Sequence, residues 1–101
     1  VYNVVMRRKQ GELVPLEKSI MAAAQELRDA GTPEFYGFQM AKELKDKTKS
    51  RFLTGYGTLY RALGRLEDMG YLQSRWEELD TSDGMSRPRR RFYSIGIKGE
   101  R

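Results

Sequence analysis

Gly57-Thr58-Leu59-Tyr60-Arg61-Ala62-Leu63-Gly64-Arg65-Leu66-Glu67-Asp68-Met69-Gly70-Tyr71-Leu72 is the stretch that decides the fold. Leu59, Ala62, Leu63, Leu66 and Met69 recur at helical spacing, which predicts one short helix from about Gly57 to Met69. Gly70 stops it, and a strand begins at Tyr71. With the leucines inward and about 100° per residue, Arg61 points almost directly away. Thr58 and Arg65 then lie on one flank, Tyr60 and Gly64 on the other. A small helix that is apolar behind and basic in front suits a DNA major groove. The same pattern also describes an ordinary solvated helix face carrying two arginines. Arginine fits the first reading because its planar fork pairs with guanine O6 and N7 or grips a phosphate. Gly64 leaves no side chain where a groove wall would come close. Thr58 and Tyr60 bring hydroxyls to the helix start, where backbone N–H groups favour a phosphate. Asp68 also points outward, but in the last turn, outside the groove if the N-terminal half inserts.

Upstream, Leu16, Ile20, Ala23, Ala24 and Leu27 mark one face of an amphipathic helix from Pro15 to Ala30, with Pro15 suited to its first turn and Gly31 to the position past its end. Thr32-Pro33-Glu34 reads as a linker. A second helix follows from about Tyr36 to Lys47, with Gly37, Met40, Ala41 and Leu44 on its inner face and lysines at its far end. Residues 48–56 form a polar connection in which Phe52 and Leu53 serve as apolar plugs. Residues 1–12 read as a basic arm.

Downstream, the period changes from helical to alternating. Tyr71 to Glu78 reads as a strand, Asp83-Gly84 as a turn, and Arg89 to Ile95 as the returning strand. Arg87-Pro88-Arg89-Arg90-Arg91 places four arginines in five residues, and no acidic residue occurs from Met85 to Ile95. On a hairpin these guanidiniums would reach a phosphate backbone or a minor groove. Charge also protects an exposed strand edge, but four clustered arginines exceed that need. Alternation puts either Arg89 and Arg91, or Arg90, on the core side. Trp76, Tyr71 and Phe52 could line a small hydrophobic pocket, but strand aromatics usually pack inward and they read as core. Asp80-Thr81-Ser82-Asp83-Gly84 has the start of a calcium loop but lacks its remaining ligands and closing Glu.

The fold class is therefore mainly α with a small β-hairpin, α+β, in the order α-α-α-β-β. With 101 residues, 39% of them apolar, one small domain with a modest core is expected. No apolar run approaches the ~18 residues of a membrane helix. The chain has no cysteine and no histidine. Disulfides, thiolate chemistry, a zinc site and a Ser-His or Cys-His dyad are thereby excluded, and a reducing, cytoplasmic setting fits. With no paired carboxylates in evidence either, an enzyme is not expected and no cofactor is called for. The net charge of +5 favours a polyanionic partner.

Taken together, these residues resemble the PadR family of bacterial transcriptional regulators, which are winged helix-turn-helix proteins. Tyr36-Gly37-Phe38-Gln39-Met40-Ala41-Lys42-Glu43-Leu44 is similar to the family's YGYEIAKEL helix. Gly57-Thr58-Leu59-Tyr60, with Arg65-Leu66-Glu67 and Gly70-Tyr71-Leu72, is similar to its GTLYPALRRLEEEGLL. Trp76-Glu77-Glu78 and Arg87-Pro88-Arg89-Arg90 resemble its first wing strand and GRPRK wing, and Phe92-Tyr93-Ser94-Ile95 its YYRL strand. The resemblance covers residues 13–99, leaving residues 1–12 as an N-terminal arm and 100–101 as the start of a C-terminal segment. It implies a dimeric, repressor-type regulator of double-stranded DNA, with the third helix in the major groove and the wing on the flanking backbone.

The candidate DNA contacts are Tyr56, Thr58, Tyr60, Arg61 and Arg65 on the helix and Arg87, Arg89 and Arg90 on the wing. Arg61 stands where the family often has Pro, so its role rests on geometry alone. Gly55-Tyr56 replaces the usual Ser-Pro, and Thr54 can supply the missing capping hydroxyl. Gly96-Ile97-Lys98-Gly99 replaces Thr-Pro-Ala-Gly. Family members continue into a C-terminal dimerisation helix, whereas this sequence ends at Arg101. If the chain is a short variant, the first helix and residues 1–12 would make the homodimer. Any small-molecule inducer is left undefined. The other function the same fold allows is a protein–protein interaction module, which would need a sizeable apolar patch on the third helix or wing.

Overall fold

Both helix stops expected at glycines are present, and they have the same construction. In a computed structural model of the chain, residues 12–48, 55–78 and 88–99 are described, without the side chains of residues 47 and 48. Helix α1 spans Pro15–Asp29 and helix α3 spans Tyr56–Asp68. After α1 the Gly31 and Thr32 N–H groups donate back to the Arg28 and Leu27 carbonyls, at 3.0 and 2.8 Å. After α3 the Gly70 and Tyr71 N–H groups donate to Glu67 and Leu66, at 3.0 and 2.9 Å. This paired bonding needs a left-handed residue at the stop, and Gly31 and Gly70 supply it with φ of 93° and 88°.

The helix starts use no Ser, Thr, Asp or Asn. Pro15 occupies the first turn of α1, and the Glu17 carboxylate reaches back to accept the Val14 N–H at 3.0 Å. Helix α2, Gly37–Thr48, is started in the same way, the Gln39 side chain accepting the Tyr36 N–H at 2.9 Å.

Strands β2 (Leu72–Trp76) and β3 (Arg91–Ile95) form the expected antiparallel hairpin, with Leu72 opposite Ile95 and Trp76 opposite Arg91. The expected element order lacked one member. Phe35–Tyr36 is a two-residue strand, β1, which pairs with Tyr93 and Phe92, so β3 is the middle strand of three. A 3₁₀ turn, Ile97–Gly99, follows β3.

The core lies where the three helices meet the inner face of this sheet. Ile20, Phe35, Met40, Leu59, Leu63, Leu66 and Leu72 are fully buried. The inner stripes read from the sequence are the packed ones: Ile20, Ala23 and Ala24 in α1, Gly37, Met40 and Leu44 in α2, and Leu59, Ala62, Leu63 and Leu66 in α3. Burial of Tyr93 and Ile95 sets the phase of β3, so Arg91 shares their face. Tyr71 is half-buried against the core, as expected. Trp76 is not core: it is 51% exposed. Leu72, at the start of β2, is covered, but the strand runs outward from there and Trp76 has no layer over it. The expectations for residues 1–11, Phe52, Leu53, Thr54, the 80–84 loop and Arg87 lie outside the described residues. No described helix is long and apolar enough to cross a membrane.

Candidate nucleic-acid interface

Helix α3 is held from behind by Leu59, Leu63 and Leu66, and its opposite face is open. Tyr56, Gly57, Thr58, Tyr60 and Arg61 are all exposed in its first two turns. The Arg61 guanidinium folds back one turn, donating from Nη2 to Thr58 Oγ1 at 3.3 Å. The Tyr56 and Tyr60 rings lie beside one another, centroids 6.4 Å apart. Gly64 faces open space, with nothing within 4 Å of where a Cβ would stand.

Arg65 is placed differently from Arg61. Its Nε lies 3.1 Å from Oε2 of Glu17 in α1, and 40% of its side chain remains exposed. Its Nε–H is buried and does not point along a hydrogen-bond line.

The Tyr60 phenol crosses from α3 to the start of α2. There it occupies the space that a side chain on residue 37 would fill, so Gly37 admits it. Next to it, the Tyr36 ring meets Phe92 edge-on at 5.9 Å and carries the Arg90 guanidinium 4.3 Å above its centroid. The Tyr36 backbone under that ring is fixed by its N–H bond to the Gln39 side chain.

Each described wing arginine is held by part of the same molecule. Arg89 donates from Nε to the Glu77 carbonyl at 2.9 Å. The Arg90 N–H donates to the Glu77 carboxylate at 3.1 Å, and the Glu77 N–H donates to the Arg90 carbonyl at 2.7 Å, extending the ribbon beyond the strands. The Arg91 guanidinium stacks 4.9 Å over Trp76, with Nη2 3.6 Å from the Glu67 carboxylate. Glu67 also accepts the Ser74 hydroxyl at 2.6 Å, so the end of α3 is fastened to both strands.

Between α3, the start of α2 and the wing runs a cleft of about 370 Å³, lined by Tyr36, Gly37, Tyr60, Trp76, Arg89, Arg90, Arg91 and Tyr93. At its floor, burial raises the Tyr93 phenol above its ordinary value, partly offset by Arg91. On the face of the sheet away from Tyr93, Arg75 donates from Nε and Nη2 to the two Glu34 oxygens, both at 2.7 Å, and stacks 5.1 Å over Phe92, the ring that Tyr36 meets edge-on. No group of described acidic residues could hold a metal ion.

Of the sequence candidates, Tyr56, Thr58, Tyr60 and Arg61 share one exposed face, and Arg89 and Arg90 border the cleft beside Tyr60. Arg65 reaches toward α1, and Arg87 lies outside the described residues. Sequence reasoning did not place Tyr36 and Trp76 at this surface, and it left open whether Arg91 faces it. Their signal was the Tyr36-Gly37 pair and the Trp76–Arg91 register, and neither means much until the strands are aligned. The arrangement offers a cationic, hydroxyl-bearing surface with aromatic flanks, the chemistry of polyanion binding.

The sequence pattern of the transcriptional regulator PadR-like family matches residues 27–101. Among solved structures, a transcriptional regulator from Clostridium thermocellum is similar, with a TM-score of 0.63 at 28% identity over 83% of this chain and 70% of its own. A PadR family transcription regulator from hypervirulent Clostridium difficile gives a TM-score of 0.59 at 25% identity, over 83% of this chain and 74% of its own. A PadR family transcriptional regulator from Eggerthella lenta gives 0.56 at 26% identity, over 83% and 65%. No curated protein matches the chain.

Proposed function

The chain belongs to the PadR-like family of transcriptional regulators, and from that premise we propose that it is a sequence-specific repressor that reads double-stranded DNA with α3 and steadies it with the wing. The observation that carries this reading is the open face of α3: Tyr56, Thr58, Tyr60 and Arg61, exposed together and backed by buried leucines. A helix of this width enters a major groove with its N-terminal residues on base edges. Arg61 reads base edges. Thr58 and the Tyr56 and Tyr60 hydroxyls bond to phosphates at the groove edge. The cleft beside Tyr60 seats the adjoining sugar-phosphate strand between the phenols and Arg89, Arg90 and Arg91. Arg87, matched to the family's wing, is a further candidate for the phosphate backbone.

The protein acts in the cytoplasm as a homodimer, so the operator is an inverted repeat with half-sites about one helical turn apart. Selection of genomic fragments by the purified full chain, repeated at two salt concentrations, tests all of this. The expected product is an enriched palindrome whose affinity falls steeply with salt. Failure to enrich any duplex at low salt defeats the reading, and a footprint over a single half-site defeats its dimeric form.

A further inference from the structure

Among the described residues Glu17 is the charged side chain that the fold buries, at 2% exposure. One carboxylate oxygen accepts the Val14 N–H at 3.0 Å, and the other faces Arg65 Nε at 3.1 Å. Closing the start of a helix does not require burial, since a Glu in the first turn does so from the surface. Burying a carboxylate is costly unless a cation accompanies it. Here one cation beside it, Arg65, comes from the helix that presents the DNA-facing side chains, one turn beyond Arg61.

We propose that Glu17 is a positioning residue for DNA reading, which holds Arg65 so that it meets a base edge rather than a backbone phosphate. The proposal rests on the reading of α3 as the major-groove helix. Three features of the pair lead to it. With Nε against Glu17, the guanidinium has only its two Nη groups to offer outward, the end-on fork that suits guanine O6 and N7. A guanidinium whose stem end is buried against a carboxylate has fewer rotamers to lose on binding, which biases the direction of the fork. The carboxylate also offsets the arginine's charge, which weakens its pull on phosphates at any sequence. Arg61, whose described contact is the neutral Thr58 hydroxyl, has no such counter-charge among the bonds it makes.

The test uses the full chain and the duplex it prefers from random-sequence selection, compared with single-base variants of that duplex over a range of salt. Glu17→Gln removes the counter-charge. It is expected to tighten binding to unrelated duplex, steepen the slope of log K against log salt by about 0.9, the share of one added phosphate, and reduce discrimination at one base pair by about fivefold or more. In an Arg65→Gln background the same change should move neither slope nor discrimination. Arg65→Lys provides a second route if Glu17→Gln does not fold: its ammonium pairs with Glu17 but has no fork, so discrimination falls while the slope stays. Circular dichroism confirms that each variant is helical.

Glu17→Gln with unchanged slope and discrimination overturns the proposal. An effect that survives in the Arg65→Gln background, or full discrimination by Arg65→Lys, overturns it as well. A wild-type chain that binds no duplex defeats this proposal and the functional reading together. Duplex binding with any of the other three outcomes defeats this one alone.

Discussion

Helix α3 and the β2–β3 wing both bring arginines to one surface, but they hold them by different means. For Arg61 on α3 the backbone does the positioning. A buried leucine stripe fixes the helix, and Arg61 projects from it with a single bond to its own Thr58. On the wing the backbone is a ribbon, and each described arginine is steadied by a side-chain or carbonyl partner: Arg89 by Glu77, Arg90 by Tyr36, Arg91 by Trp76 and Glu67. A packed helix can leave a reading side chain adaptable. A ribbon presents a defined row of charge only if the guanidiniums are clamped beforehand, because each ordered long side chain otherwise costs entropy on binding.

The largest effect should come from removing what the two regions share. Leu63 is fully buried in the stripe behind α3. Leu63→Ala should cost about 2–5 kcal/mol, lowering Tm by roughly 10 °C or more in a domain of this size. DNA binding through helix and wing should be lost in parallel, because Glu67 fastens one to the other. A thermal melt followed by circular dichroism measures the first, and a duplex titration the second. A wing that still bound DNA with α3 loosened would break the comparison.

Next in size are the arginines themselves. Arg61→Ala should cost about 1–3 kcal/mol at the preferred duplex and little elsewhere, flattening sequence preference. Arg90→Ala should weaken all duplexes alike and lower the salt slope by about 0.9, while leaving Tyr36 without the cation above its ring. Anisotropy titrations against matched and mismatched duplexes at several salt concentrations separate the two. Equal behaviour of both variants would mean that helix and ribbon do the same work.

How much of this was legible in the sequence follows the same division. The helices were legible because their information is local: leucines at helical spacing, and a glycine where the left-handed stop must fall. The hairpin was legible as a change of period. Strand β1 was not, because two residues carry no period and Phe35-Tyr36 becomes a strand only by pairing with Tyr93 and Phe92, far along the chain. The phase of β3 was open because Phe92 and Tyr93 are both aromatic, and only the burial of Tyr93 and Ile95 decides it. Trp76 was misread because a strand aromatic packs inward only where a second layer lies over it. Glu17 looked like any acid in a first helical turn, and nothing near it in sequence reveals Arg65.

A smaller effect tests whether α3 really makes the closer approach. The open space beside the Gly64 α-carbon means that no internal contact requires glycine there. Gly64→Ala should therefore stabilise the fold by about 0.5–1 kcal/mol through helix propensity. If the groove wall comes close at this point, the same variant should bind its duplex severalfold more weakly. A higher Tm together with weaker binding sharpens the comparison, and a higher Tm with unchanged binding places Gly64 outside the groove.

The smallest effect lies on the face of the sheet away from Tyr93. Glu34, just before β1, receives two bonds from Arg75 in β2, so the pair spans the middle strand and joins the outer two. The bonds from Arg75 hold the Glu34 carboxyl below its ordinary value, and Glu34 in turn raises Arg75. The sign follows from the depressed carboxyl. Its contribution is present above the unfolded value of about 4.3 and is lost as pH falls through the lower folded value. Because 39% of the Glu34 side chain and 51% of the Arg75 side chain are exposed, solvent and salt screen the pair strongly. Glu34→Gln should thus lower Tm slightly at pH 7 and converge with the wild type in acid, as followed by melts across that range. Its duplex affinity should not change, since Glu34 bonds to Arg75 and the Tyr36 ring under Arg90 keeps its own contact with Phe92. A loss of binding would show that the wing is positioned through the whole sheet, and not only by the arginine stacks on its inner edge.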